Sequence, residues 1–205
     1  EHKSMSFSFP KIYLASQSPR RAQLLEQIGV PFDLLLPEDM HAAELLEAAW
    51  PNEPALDYVR RVCRAKAFAA HAQGQQPTLP ILCSDTTVAL DGEIFGKPAD
   101  AAHACDMLQK LSNQTHQVHT AIALLHEGQL IERTVTSDVT FRELSTTDIE
   151  QYIASGEPFG KAGAYAIQGL GACFVTHLSG SFSAVMGLPL FEVSELLQSI
   201  QQTSQ

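Results

Sequence analysis

Two arginines stand where a helix tolerates them least. Ser16-Gln17-Ser18-Pro19 leads into an apolar run, with Ser18 placed to cap and Pro19 suited to the first helical position. Arg20 and Arg21 therefore fall in the opening turn, where the macrodipole is positive and each cation costs roughly 0.3–1 kcal/mol. A phosphate resting on the free N–H groups of that turn, held also by Ser16 or Ser18 and both guanidinium groups, would turn repulsion into binding. The plainer alternative is that both arginines extend into solvent or pair with nearby acids. Lys66 is a second oddity. It lies four residues after Val62 and seven after Val59, on the apolar side of a helical pattern, so it either snorkels or meets an anion. Lys97, in the rigid turn Gly96-Lys97-Pro98, is framed to present one ammonium group, though turns also carry idle lysines.

Asp85 ends the apolar run Pro80-Ile81-Leu82-Cys83, where an unpaired carboxylate is expensive to bury. Metal coordination or proton transfer would account for it, and so would bonding to turn amides. Glu38, Asp39 and Glu44 are the carboxylates that could assist a hard cation, magnesium or manganese held together with phosphates. Their spacing is not diagnostic. His116 and His119, three apart on a predicted strand, face opposite sides and make a poor metal pair. A G-x-x-x-x-G-K-[ST] loop, a G-x-S-x-G elbow and a dinucleotide fingerprint are all absent from the sequence, which removes the enzyme classes they mark.

Periodicity and turn chemistry supply the elements that must carry these groups. Ile12 to Ala15 reads as a strand, followed by a helix from Pro19 that Gly29 ends, and Phe32 to Leu36 as a second strand. Pro37 to Pro54 is acidic and poorly periodic, with room for a short helix near Ala42 to Ala49. A longer helix from Asn52 to about Ala72 follows from Leu56, Val59, Val62, Cys63, Ala67 and Ala70. The strand through Asp85 continues to Leu90, where Asp91-Gly92 signals a hairpin. A helix over Ala101 to Leu111 is followed by a longer hairpin, Gln117 to Leu125 and Leu130 to Phe141, about Glu127-Gly128. Ser145 and Asp148 form a capping box for a helix to Ser155 closed by Gly156. Glycines at 156, 160, 163, 169 and 171 mark a loop that turns tightly or approaches a ligand. A strand over Cys173 to Thr176 and a terminal helix started by Pro189 complete an α/β or α+β fold with a mixed sheet.

With 205 residues, 45% of them hydrophobic, the chain can bury one core or two joined lobes. A formal charge of −10 disfavours a general nucleic-acid binder, so an anionic ligand must be captured locally. Four scattered cysteines with no C-x-x-C pair argue against zinc and disulfides and fit a reducing cytoplasm. No apolar stretch reaches membrane-spanning length, so no membrane partner is expected. Glu1 to Ser4 reads as an appended leader, with Met5 as the natural start.

Leu14-Ala15-Ser16-Gln17-Ser18-Pro19-Arg20-Arg21, Arg64-Ala65-Lys66-Ala67, Ser84-Asp85-Thr86, Gly96-Lys97-Pro98 and Lys161-Ala162-Gly163-Ala164-Tyr165-Ala166-Ile167-Gln168-Gly169, joined by Val185-Met186-Gly187-Leu188-Pro189-Leu190, closely resemble the Maf family in order and spacing from about Lys11 to Leu197. The resemblance implies a single domain over residues 6–205, with an elongated mixed sheet and two lobes about a central cleft. That architecture is related to the inosine-triphosphate pyrophosphatases and is often assembled as a homodimer. It further implies a nucleoside-triphosphate pyrophosphatase that keeps the nucleotide pool clean and uses a divalent cation, magnesium, manganese or cobalt.

By that analogy Asp85 is the general base or metal-linked carboxylate, and Ser16, Ser18, Arg20, Arg21, Lys66 and Lys97 hold the triphosphate. Thr86 and the Ala-Tyr-x-Ile-Gln-Gly segment look like the branch acting on dTTP and UTP, which assigns Arg20, Thr86 and Gln168 to substrate selection. The family commonly has an Asp-Glu pair shortly after the second strand. Here that stretch reads Glu38-Asp39-Met40-His41 with extra residues beyond, so Glu38 and Asp39 are only the nearest candidates beside Asp85 for the metal. Gly160 also replaces a usual aspartate and Ala166 a usual glycine, both in the loop expected to grip the base. Rival expectations are a nucleotide-binding regulator of septum formation, which the family name evokes, and a pyrophosphatase preferring CTP or a modified nucleotide.

Overall fold

A computed structural model describes residues 7–73 and 79–202; the expected leader and the start at Met5 lie outside them. β1 (Ile12–Leu14) feeds α1 (Pro19–Gln27), whose buried face is Leu24 and Leu25. Ser18 takes the capping position but its hydroxyl accepts no bond from the helix. Instead Ser16 Oγ accepts the Ser18 N–H at 3.2 Å. Gly29, at φ 74°, closes the helix as the Val30 N–H reaches back to the Leu25 carbonyl, the wrap of a left-handed helix end. β2 (Phe32–Leu34) is shorter than its apolar run, and α2 (Met40–Leu45) starts earlier than expected because the Asp39 carboxylate accepts the Ala42 N–H. No residue of α2 is buried. α3 (Ala55–His71) begins three residues after Asn52, which sits at φ 57° and cannot belong to a right-handed helix.

β3 (Ile81–Leu90) turns through Asp91 and Gly92, both at positive φ, into β4 (Glu93–Phe95). Positive φ at both central residues is the geometry of a two-residue hairpin, and Glu127-Gly128 repeats it between β5 (Thr115–His126) and β6 (Gln129–Phe141). α4 (Ala101–Leu111) has the expected bounds, and α5 (Thr146–Ala154) carries the reciprocal Ser145–Asp148 capping box. The expected strand at Cys173 is corrected: Leu170–Phe174 is a 3-10 turn, and β7 is Val175–Ser179. α6 (Phe182–Met186), capped by Ser181, had no periodic signal in five residues, and α7 (Leu190–Gln202) ends the described chain.

The sheet is mixed, in the order β2-β1-β3-β5-β6-β7 with β4 paired to β3. β1 runs parallel to both β2 and β3, and the remaining pairs are antiparallel. β3 is the pivot. On one side it pairs with β5 from Ile81 to Ala89. On the other, β1 takes Ile81 and Leu82 while β4 takes Val88 to Leu90, so on that edge residues 83–87 have no strand partner.

Three apolar clusters surround this gap. Leu82 joins α1 and α7, Val88 joins α4, α5 and β4, and the opposite face packs Ile81 and Cys83 beneath α3. Among the described residues no helix is long and apolar enough to cross a membrane, and all four cysteines are free.

Candidate active site

The open edge of β3 lets one cleft reach both faces of the sheet. Side chains alternate along a strand, so Asp85 points toward α3 while Ser84 and Thr86 point toward α6 and α7. All three line a cleft of about 720 Å³. Five of the thirteen lysines and arginines line it too: Arg20, Arg21, Lys66, Lys97 and Lys161. Five carboxylates, Glu38, Asp39, Glu44, Glu47 and Asp85, line it as well, so the cleft gathers charge of both signs within a chain that is acidic overall.

On the α3 side, charges alternate. Lys66 Nζ donates to Asp85 Oδ1 at 2.8 Å and to Glu47 Oε1 at 2.8 Å, and Lys97 Nζ meets Glu47 Oε2 at 3.0 Å. Lys66 thus meets anions rather than snorkelling. Burial works against its charge, but Asp85 and Glu47 hold its ammonium above the ordinary lysine value. Burial likewise disfavours the Glu47 carboxylate, yet Lys66 and then Lys97 keep it below the usual range. Glu47 is positioned from α3, because the Tyr58 hydroxyl donates to the Glu47 carbonyl at 2.8 Å and Arg61 donates to the Ala48 carbonyl.

On the α6 side, the two arginines differ. Arg21 donates from Nε to the Gly187 carbonyl (2.7 Å), from Nη1 to Ser16 Oγ (3.3 Å) and from Nη2 to Thr86 Oγ1 (3.2 Å). Ser84 Oγ donates to the same Gly187 carbonyl, and Thr86 Oγ1 lies 3.1 Å from Thr120 Oγ1. Arg21 therefore ties α1 and β3 to the end of α6. Arg20 has no ion-pair or hydrogen-bond partner among the described residues. Burial and then neighbouring Arg21 both press its charge down. Lys161 is lowered by burial and then by Arg20, against a smaller pull upward from Glu157, and its Nζ donates to the Phe159 carbonyl at 3.5 Å.

The structure brings Ser16, Ser18, Arg20, Arg21, Lys66, Asp85, Thr86, Lys97 and Gln168 to one cleft. Glu38 and Asp39 line it as well, but both are exposed and the Asp39 carboxylate caps α2. Glu47, rather than Glu38, Asp39 or Glu44, is the carboxylate that shares Lys66 with Asp85. Nothing in the sequence distinguished it from its acidic neighbours. Lys161 was also passed over, although its place in the glycine-rich loop was the available signal. His116 and His119 face opposite ways, bonded to Tyr165 and Thr136. Among the described residues no group of three or more His, Cys, Asp or Glu comes together, so a divalent cation here would rest on Asp85, Glu47 and ligand phosphates. Two carboxylates plus phosphate oxygens suit magnesium, so these residues fit the metal.

Two carboxylates sharing a lysine, with Arg20 beside them, at a split in a mixed sheet suit a protein that accepts a polyanion. Sequence comparison narrows the class: the Maf-like protein family matches residues 11–200, and the chain belongs to that family. It is 54% identical over 191 residues to a dTTP/UTP pyrophosphatase of Albidiferax ferrireducens, covering 92% of this chain and 96% of that protein. A dTTP/UTP pyrophosphatase of Ralstonia nicotianae is 55% identical over 192 residues, 92% of this chain and 93% of that one. One from Escherichia coli is 53% identical over 186 residues, covering 91% of each.

Proposed function

We propose that the chain is a nucleoside-triphosphate pyrophosphatase that hydrolyses dTTP and UTP to the monophosphate and pyrophosphate, clearing the nucleotide pool. The observation that carries the reading is the alternating series Asp85–Lys66–Glu47–Lys97 at the base of a cleft that also holds Arg20 and Lys161. The named activity of relatives at 53–55% identity supports the substrate class.

Lys66 engages one oxygen of Asp85 and leaves Oδ2 to accept a proton from water. That water attacks the α-phosphorus, the bond to the bridging oxygen breaks, and pyrophosphate departs with the electron pair. Lys97, Arg20 and Lys161 offset the negative charge gathering on the leaving group. A divalent cation, magnesium, manganese or cobalt, would be held by Asp85 and Glu47 and would supply Lewis-acid polarisation of phosphate oxygens. Ser16 and Ser18 place hydroxyls beside the phosphates, while Thr86 and Gln168, together with Arg20, serve substrate selection.

The reading includes a cytoplasmic setting, supported by the free cysteines, and a homodimer as in the family resemblance. Its test is a pyrophosphate-release screen over common and modified nucleotides with each metal. Wild-type turnover of dTTP and UTP, abolished in Asp85→Asn, is expected; full turnover by that variant would sink the assignment.

A further inference from the structure

Gln168 and Lys161 ride on a loop that never joins the sheet, and one carboxylate outside the cleft closes that loop. Glu157 accepts the Leu170 N–H at 2.9 Å through Oε1 and the Gly171 N–H at 3.0 Å through Oε2. The Tyr152 hydroxyl donates to the same Oε2 and accepts the Ala166 N–H at 3.0 Å. Burial disfavours charge on Glu157, but the Tyr152 hydroxyl and then these two amides hold its carboxyl below the usual range. Tyr152 is itself fixed, buried on α5 with its ring edge-on to Phe174.

Two of the loop's glycines, Gly169 and Gly171, are explained by this closure. A Cβ on Gly169 would stand 1.8 Å from Glu157 Oε1, and one on Gly171 would stand 2.6 Å from the Ala166 carbonyl oxygen and 2.9 Å from the Tyr152 hydroxyl. The Gly169 conflict is costly because Oε1 is already bound to the Leu170 amide. The chain is therefore wrapped as tightly around this carboxylate as backbone without side chains permits. Between the two ends of the wrap lie Lys161, Tyr165, Ala166 and Gln168, all in the cleft wall, whereas Glu157 and Tyr152 do not reach the cleft.

We propose that Glu157 and Tyr152 are positioning residues for base selection, the half-buried anion setting the height and angle at which Gln168 meets the pyrimidine. The inference rests on the pyrophosphatase reading. It places part of the specificity apparatus on α5 and the residues just after it, away from any atom of the ligand.

The test compares steady-state UTP and CTP hydrolysis by wild type, Tyr152→Phe and Glu157→Gln, with a thermal midpoint for each. Expected is about a tenfold rise in KM for UTP with kcat changed less than threefold, so that the preference for UTP over CTP collapses. Glu157→Gln should lose more than Tyr152→Phe, because the phenylalanine leaves both amide bonds to the carboxylate in place. Folded variants with an unchanged UTP:CTP ratio, or with kcat and KM damaged equally for both nucleotides, overturn the proposal. Should Glu157→Gln fail to fold, Tyr152→Phe, which removes one oxygen and keeps the ring packing, decides alone. Wild type that cleaves no pyrimidine triphosphate sinks the function reading and this inference together, an outcome distinct from normal wild-type turnover with unaltered variants.

Discussion

Lys66 Nζ stands 2.8 Å from Asp85 Oδ1, so the carboxylate that would take a proton from water is already anchored on one side by an ammonium group. Removing one partner of a buried pair costs roughly 3–5 kcal/mol. Here about 2 kcal/mol is expected for Lys66→Met, because 21% of the lysine side chain is exposed and solvent screens what remains. Adding Asp85→Asn should restore more than half of that stability without restoring turnover. Denaturation of the two single variants and the double variant checks this; strictly additive losses would show that the pair is not coupled.

The adjacent arginines should separate cleanly. Arg21→Ala loses three hydrogen bonds and should destabilise by about 3 kcal/mol. Arg20→Ala loses none and relieves repulsion with Arg21, so its stability should stay within about 0.5 kcal/mol of wild type. Its relative efficiency on dTTP, UTP and CTP should instead shift about tenfold. Equal thermal losses in both variants would contradict the division.

His116 makes stability depend on acid. It is fully buried, its Nε2 lies 2.7 Å from the Tyr165 hydroxyl, and its Nδ1 has no partner among the described residues. Burial lowers its pKa from 6.5 to about 4. Between those values the unfolded chain binds a proton that the folded chain refuses, so stability falls as pH drops through that window. The shift corresponds to about 3 kcal/mol at most. His116→Gln should flatten the pH profile of unfolding between pH 6.5 and 4; parallel wild-type and variant profiles would refute it.

Metal dependence should follow Glu47. Chelation is expected to abolish pyrophosphate release, with recovery on adding magnesium, manganese or cobalt. Glu47→Gln should raise the metal concentration for half-maximal activity at least tenfold, whereas Glu38→Gln and Asp39→Asn should shift it less than twofold. An Asp39 or Glu38 variant that needed as much extra metal as Glu47→Gln would return the role to the earlier acids.

Arg20, Arg21, Lys66 and Asp85 were legible because each broke a local rule: cations in a first helical turn, a lysine on an apolar face, a carboxylate in a buried strand. Both tight hairpins were legible too, since Asp91-Gly92 and Glu127-Gly128 accept positive φ. Glu47 was not, because 38–47 holds several acids without periodicity and only the docking of Tyr58 and Arg61 brings one of them to Lys66. The strand expected at Cys173 failed for a tertiary reason. Leu170 and Gly171 give their amides to Glu157, and that demand bends the segment into a 3-10 turn before pairing with β6 resumes.

The two acids that share Lys66 have unequal freedom. Nine consecutive register partners on β5 lock the Asp85 strand, and a one-residue slip would swing its carboxylate to the far face. Glu47 follows a helix that contributes nothing to the core. Asp85 is thus the anvil of the site, and whatever travel is needed to admit a nucleotide or release pyrophosphate falls to the Glu47 side.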